Sequence, residues 1–228
     1  MAGCSGGGAG CYGPSGSAAE YRAGGSHAAQ RRQSSSETGN DAWFLTEFIP
    51  DQVMRKALLK ERFDWALSII QPAPSDIILE IGCGSGILVE RMVPSITTGK
   101  IIGVDRSESM IQSAQKRNRQ SEGQGLVQLI QEDYGYVYFD DQLFDKVVAF
   151  NVSVFWQDPG NYLPQVKKHL KHGGQFFLFN QPPFDKTKSL ALMAEDVLKR
   201  NDFKIKEVII QKMEPAPSFC IISTPAVM

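Results

Sequence analysis

The sequence predicts an α/β fold built on a doubly wound, mostly parallel sheet, and three features of the chain predict it. Asp76-Ile77-Ile78-Leu79-Glu80-Ile81 is a short, largely aliphatic run that feeds directly into Gly82-Cys83-Gly84-Ser85-Gly86, as a buried strand does when it ends in a ligand-binding turn at the head of a helix. Lys100-Ile101-Ile102-Gly103-Val104-Asp105 is a second such run, ending in a carboxylate about twenty residues past the glycines, the length of one strand-helix-strand step. From there on, aliphatic runs alternate with segments of helical periodicity, the order that gives a sheet with helices on its faces.

Taken in order, residues 1–40 are a different material. They are rich in Gly, Ser and Ala, hold only Tyr12 and Tyr21 as aromatics, and offer too little apolar area to offset chain entropy, so a disordered arm is expected. Their serines and arginines, with few acids, also fit the composition of an organelle transit peptide. Folding is expected from residue 41. Trp43-Phe44-Leu45 and Phe48-Ile49 form an apolar cluster, and Asp51 is placed to cap a helix to Ile70, with Met54, Leu58, Trp65 and Ile69 at helical spacing and Pro72 beyond its end. Residues 41–72 therefore read as an N-terminal helical cap packed on the sheet.

The first strand follows, then a helix opening at Gly86, then the second strand and a helix capped by Ser107. Residues 126–130 and 144–151 supply a third and a fourth strand. A helix over residues 162–171 meets Gly173-Gly174, a turn into a fifth strand at residues 175–180. Residues 187–199 form a helix with Leu190, Leu192, Met193, Ala194 and Val197 as its apolar face, and residues 204–213 and 219–224 close the sheet as an antiparallel pair.

The glycine spacing bears on what the loop holds. Gly82, Gly84 and Gly86 give G-x-G-x-G, whereas a dinucleotide fingerprint needs G-x-G-x-x-G, and Ile87 stands in the slot of its last glycine. Glu80, just before the loop, would repel a pyrophosphate. Asp105 stands where a doubly wound fold places an acid to accept the hydroxyls of a ribose; helix capping, its other use, falls better to Ser107.

The pattern E-x-G-x-G-x-G after an aliphatic run resembles the first motif of the class I S-adenosylmethionine-dependent methyltransferases, of small-molecule type. Three blocks continue the likeness in order: Val104-Asp105-Arg106-Ser107-Glu108-Ser109-Met110, then Gln131-Glu132-Asp133-Tyr134, then Phe144-Asp145-Lys146-Val147-Val148-Ala149-Phe150-Asn151. The resemblance implies S-adenosyl-L-methionine as cofactor and a seven-stranded Rossmann-like methyltransferase domain over residues 41–228, with only the last inserted strand antiparallel. It also implies roles. Glu80 and Asn151 lie at the methionine end, and Gly82, Cys83, Gly84 and Gly86 form the loop against it. Asp105 takes the ribose, Arg106 and Met110 line the adenine pocket, and Asp133 accepts from the adenine amine, with Tyr134 beside it and Glu132 as the neighbouring alternative. The resemblance also implies a second use for residues 43–48, as a lid over the cofactor. No residue is marked as catalytic, and no metal is implied.

Composition narrows the partners. Lys and Arg number 24 against 25 Asp and Glu, which lacks the basic footprint of nucleic-acid binders, so nucleic acid is not expected. Asn180-Gln181-Pro182-Pro183-Phe184 is similar to the Asn-Pro-Pro-aromatic signature of base-amine methyltransferases, yet it carries an extra residue and follows the fifth strand rather than the fourth. A substrate-side loop is expected there instead. Phe155 and Trp156, with Tyr134, Tyr136, Tyr138 and Phe139, come off the carboxyl ends of strands, and about half of them are expected to line the mouth rather than pack the next helix. A small, partly apolar or aromatic methyl acceptor is the expected substrate.

Tyr134, Asp158 and Tyr162 are the available bases, with alignment alone as the default mode of catalysis. His169 and His172 fit a helix end, where positive charge complements the dipole. Cys4, Cys11, Cys83 and Cys220 show no disulfide or metal spacing, Cys83 has no base to activate it, and a reducing, cytoplasmic setting is expected. No apolar run reaches signal-peptide or membrane-span length. Two other functions share this loop: an NAD-type oxidoreductase, disfavoured by Ile87, and a noncatalytic cofactor-binding subunit, which acceptor-dependent turnover would separate from an enzyme.

Overall fold

The computed structural model describes residues 51–183 and 186–226. The expected lid at residues 43–48 and the arm at residues 1–40 lie outside the described residues. Among the described residues, six α-helices and seven strands follow one another as α1 (Asp51–Ile70), β1 (Ile77–Ile81), α2 (Ile87–Met92), β2 (Lys100–Asp105), α3 (Glu108–Gly123), β3 (Val127–Gln131), β4 (Phe144–Phe150), α4 (Val154–Gln157), α5 (Tyr162–His169), β5 (Leu170–Asn180), α6 (Thr187–Arg200), β6 (Phe203–Gln211) and β7 (Ser218–Pro225). The strands form one sheet in the order β3-β2-β1-β4-β5-β7-β6. All are parallel except β7, which runs antiparallel to both β5 and β6, as the resemblance implies. The winding reverses between β1 and β4, so a crevice opens there at the carboxyl ends of the strands.

Each central strand is apolar on both faces because helices cover both. On β1, Ile78 and Leu79 are both fully buried but face opposite layers. One layer joins Leu79, Val147, Ala149, Phe176 and Leu178 to Phe155 of α4, Leu163 and Val166 of α5, and Ala191, Ala194 and Leu198 of α6. The other joins Ile78, Val148, Phe177 and Phe179 to Phe63, Ala66 and Ile70 of α1 and to Leu88, Val89 and Met92 of α2. A fully buried phenylalanine such as Phe176 or Phe179 contributes roughly 1.5–3 kcal/mol by burial.

Three expected elements differ in detail. Gly173-Gly174 does not precede the fifth strand but interrupts it: Leu170 pairs with Phe144, pairing resumes at Gln175 with Lys146, and the residues between bulge out. A left-handed Gly173, at φ +80°, lets the backbone make that excursion. Helix α6 buries Thr187, Ala191, Ala194 and Leu198, while Leu192 and Met193 are exposed; the small alanines let the helix sit close on the sheet, and this rotates the two long side chains outward. Ser107 holds the N-cap position of α3 without a side-chain capping bond, and Asp105 accepts from its amide instead, at 2.9 Å. Among the described residues no helix is long and apolar enough to cross a membrane.

Candidate functional site

The glycine loop is laid across the end of β2. The amides of Gly82 and Cys83 both donate to the Val104 carbonyl, at 2.8 and 3.0 Å, and the Gly84 amide donates to Asp105 Oδ2 at 2.9 Å. Gly86 starts α2 in a left-handed conformation, φ +72°, and a Cβ there would stand 2.6 Å from Asn118 Nδ2 and 2.9 Å from Ala114 Cβ. Close contact with α3 therefore requires glycine. At Gly84 the reverse holds: a Cβ would meet nothing within 4 Å, so that side of the loop faces open space.

Helix α3 braces the loop from behind. Buried Asn118 donates to the Gly86 carbonyl at 3.2 Å, and Arg117 donates to the Ser85 carbonyl at 2.9 Å. Neither was singled out in the sequence, because a mid-helix Asn and Arg read as a solvated face. Glu80 lies under the loop, 2% exposed, with Oε2 unpartnered. Burial, and secondarily the nearby Asp105 carboxylate, pushes its carboxyl up to about 8, with the Val89 amide pulling the other way.

A cavity of about 410 Å³ opens at the β1/β4 switch point, within the usual range of roughly 300–1,000 Å³ for small-ligand sites. It gathers Gly82 from the end of β1, Asp105 and Arg106 from β2, Glu132, Asp133 and Tyr134 from β3, and Asn151 from β4. Val152, Ser153, Val154, Gln157, Asp158 and Tyr162 complete one side. Glu80, Cys83, Gly84, Gly86 and Met110 are not among the lining residues. Cys83 is buried with its Sγ turned toward Gly103, and burial raises its thiol well above the ordinary value, which leaves it inert. Met110 projects from α3, 44% exposed.

The acids here are held in defined rotations. Asp133 Oδ1 accepts from the Tyr162 hydroxyl at 2.5 Å and from the Gly135 amide at 2.9 Å, whereas Glu132 Oε1 takes the Asp133 amide at 2.8 Å. Asn151, left-handed at φ +58°, accepts from the Gln181 amide at 2.8 Å. Gln181 in turn donates to the Glu214 and Ala216 carbonyls, so the loop after β5 is tied to the β6–β7 connection.

Several expected roles move. The aromatic mouth does not form as expected: Phe155, Trp156 and Phe139 are core residues, and Tyr136 and Tyr138 are 83% and 77% exposed. Val154 starts a short helix that carries Phe155 and Trp156 inward. Tyr134 does line the cavity, but its hydroxyl points to His169 Nδ1, 3.2 Å away, and burial raises its phenol far above the ordinary value. His169 is no exposed dipole partner. It is buried among Tyr134, Phe139 and Phe144, and desolvation holds its imidazole below 6.5.

A family described as a methyltransferase domain matches residues 78–174, a span that contains all of the described residues that line the cavity. The uncharacterized methyltransferase YdaC of Bacillus subtilis (strain 168) is 26% identical over 161 residues, 68% of this chain and 87% of that protein. The uncharacterized methyltransferase C1B3.06c of Schizosaccharomyces pombe is 30% identical over 105 residues, 44% of this chain and 38% of that protein, so this chain matches well under half of that relative's length. A SAM dependent methyltransferase from Aquifex aeolicus superposes with a TM-score of 0.60 at 14% identity, covering 71% of this chain and 88% of that one, a likeness of fold.

Proposed function

Starting from a chain that belongs to the class I S-adenosylmethionine-dependent methyltransferases and shares their cofactor, we propose that it methylates a small, uncharged or cationic acceptor in the switch-point cavity. The observation that carries this is the convergence of Gly82, Asp105, Asp133 and Asn151, each from the end of a different strand, on one cavity. The residues fit the cofactor's chemistry. Open space over Gly84 leaves room for its close approach, and the two aspartates offer acceptors to ribose hydroxyls and to an exocyclic amine. Glu80 supports the loop from below, and Arg106 flanks the adenine side. When bound, S-adenosylmethionine supplies a sulfonium-activated methyl that an acceptor lone pair displaces in line, leaving a neutral thioether.

The protein's contribution is alignment and exclusion of water. Acceptor binding is assigned to the outer wall: Val152 and Val154 give it an apolar part, and Ser153, Gln157 and Asp158 its polar contacts. Charge then selects. Asp105, Glu132, Asp133 and Asp158 face the cavity, with Arg106 as the one Lys or Arg lining it among the described residues, a field that repels carboxylate, phosphate and nucleic-acid acceptors. Asp158 supplies negative charge on the acceptor wall that draws a cationic acceptor in, and the transfer itself needs only alignment. A cytoplasmic setting accords with Cys83 and Cys220, buried as free thiols.

The test is transfer of isotope-labelled methyl from the cofactor to panels of neutral, cationic and anionic small molecules. Turnover confined to the first two panels supports the reading. Turnover only with anionic acceptors would contradict it, and cofactor binding without turnover on any panel would favour a noncatalytic cofactor-binding subunit.

A further inference from the structure

We propose that Tyr162 is a positioning residue for base recognition: it fixes the Asp133 carboxylate so that a single oxygen, Oδ2, is presented to the cavity as an acceptor that reads an amine and rejects a carbonyl. This rests on the cofactor reading above and adds a residue from the acceptor-side helix to it.

The argument begins with hydrogen-bond capacity. Asp133 Oδ1 already receives two donors, the Tyr162 hydroxyl at 2.5 Å and the Gly135 amide at 2.9 Å, which satisfies an oxygen with two lone pairs. Among the described residues no donor reaches Oδ2. A carboxylate free to rotate would offer either oxygen in many directions; this one is pinned through one atom and offers the other. The pin itself is built. Gln165, one turn beyond Tyr162 on α5, donates to the Gly135 carbonyl at 2.5 Å, so one face of the helix grips the turn after β3 at two points. The Tyr162 ring is held by Phe155 and Tyr134, each 6.1 Å away between centroids. Its bond to Asp133, ahead of burial, pushes the phenol up to about 12, so the hydroxyl keeps its proton and remains a donor.

An exocyclic amine donates to Oδ2, whereas a carbonyl at the same place sets two acceptors against each other. Discrimination of adenine from hypoxanthine therefore depends on the pin. Gly135 provides a second way to disturb it, since a Cβ there would stand 3.2 Å from Asp133 Oδ1 and 3.5 Å from Tyr162 Cζ.

Calorimetric titration of the full chain with S-adenosylhomocysteine and with S-inosylhomocysteine tests this in the wild type, Tyr162→Phe and Gly135→Ala. The wild type is expected to prefer the adenine compound about tenfold or more, the price of an unmet acceptor pair. Tyr162→Phe, which keeps the ring, and Gly135→Ala are expected to cut that preference to about threefold or less, with binding of the inosine compound nearly unchanged. A merely structural role would weaken both ligands together. Retention of the full preference by Tyr162→Phe, or no preference in the wild type, overturns the proposal and leaves the cofactor reading standing. Failure of the wild type to bind either compound overturns both.

Discussion

Gly84 and Asp105, 21 positions apart, are joined by a hydrogen bond of 2.9 Å from the loop amide to the carboxylate. The same carboxylate takes the Ser107 amide through its other oxygen. One side chain thus ties the glycine loop to β2 and starts α3, and it lines the cavity while doing so. Each oxygen keeps a lone pair for a ligand, so the acid proposed to bind the ribose also shapes the glycine loop.

Gly86 is a position of that loop where only glycine fits. Gly86→Ala places a methyl against Asn118 and Ala114 at a φ of +72°, and is expected to destabilise the fold by about 1–3 kcal/mol from backbone strain alone. Gly84→Ala shares that backbone strain, at φ +52°, but not the clash, since its Cβ meets open space, and is expected to cost less stability and more cofactor affinity. Urea unfolding and ligand titration of the two variants check the contrast.

Glu80 gives stability a pH dependence of definite sign. Its carboxyl is raised from 4.5 to about 8, so between those values the folded state keeps a proton that the unfolded chain has released. The unfolded state then binds fewer protons, and stability falls as pH rises through that window, levelling off above it. Glu80→Gln is expected to flatten the decline, an effect on the order of a few kcal/mol at most. Urea midpoints from pH 5 to pH 9 measure it.

His169 acts in the opposite direction. Its imidazole is held below 6.5 by desolvation and, secondarily, by Lys168, so below that pH the unfolded state takes up protons first and stability is lost as pH falls through the folded value. Proton NMR of the His169 ring is expected to show no midpoint at 6.5 in the folded protein. A normal titration there would contradict its place against Tyr134.

On the proposed reading, Asp158 sets the acceptor's charge. Asp158→Asn removes an acid from the cavity wall and is expected to lower kcat/KM for cationic acceptors several-fold, by about 1 kcal/mol, with neutral acceptors little changed. Competition between a paired amine and alcohol substrate reads this directly.

The parts legible in the sequence are those whose signal is local. A strand end, a glycine loop and an acid lie next to one another along the chain, so β1, β2, Asp105, Asp133 and Asn151 could be placed from their neighbours. What escaped depends on residues far apart in sequence. Tyr162 meets Asp133 across 29 positions, and His169 meets Tyr134 across 35, and nothing around either residue reports its partner. A histidine at a helix end reads as a dipole partner until the fold covers it with Phe139 and Phe144. Gly173-Gly174 signals an unusual backbone without saying whether a turn or a bulge follows. On α6, helical periodicity identified the element, but which of its apolar residues face the sheet was decided by the close approach that Ala191 and Ala194 permit.

The central claim is that the cavity at the β1/β4 switch point holds S-adenosylmethionine through Asp105. Calorimetric titration of the wild type and Asp105→Asn with S-adenosylhomocysteine, beside NAD, tests it most directly. The account predicts binding of the homocysteine compound alone, weakened about tenfold or more in the variant by loss of charge-assisted hydrogen bonds. Binding of NAD in its place, or equal affinity in the variant, would contradict it.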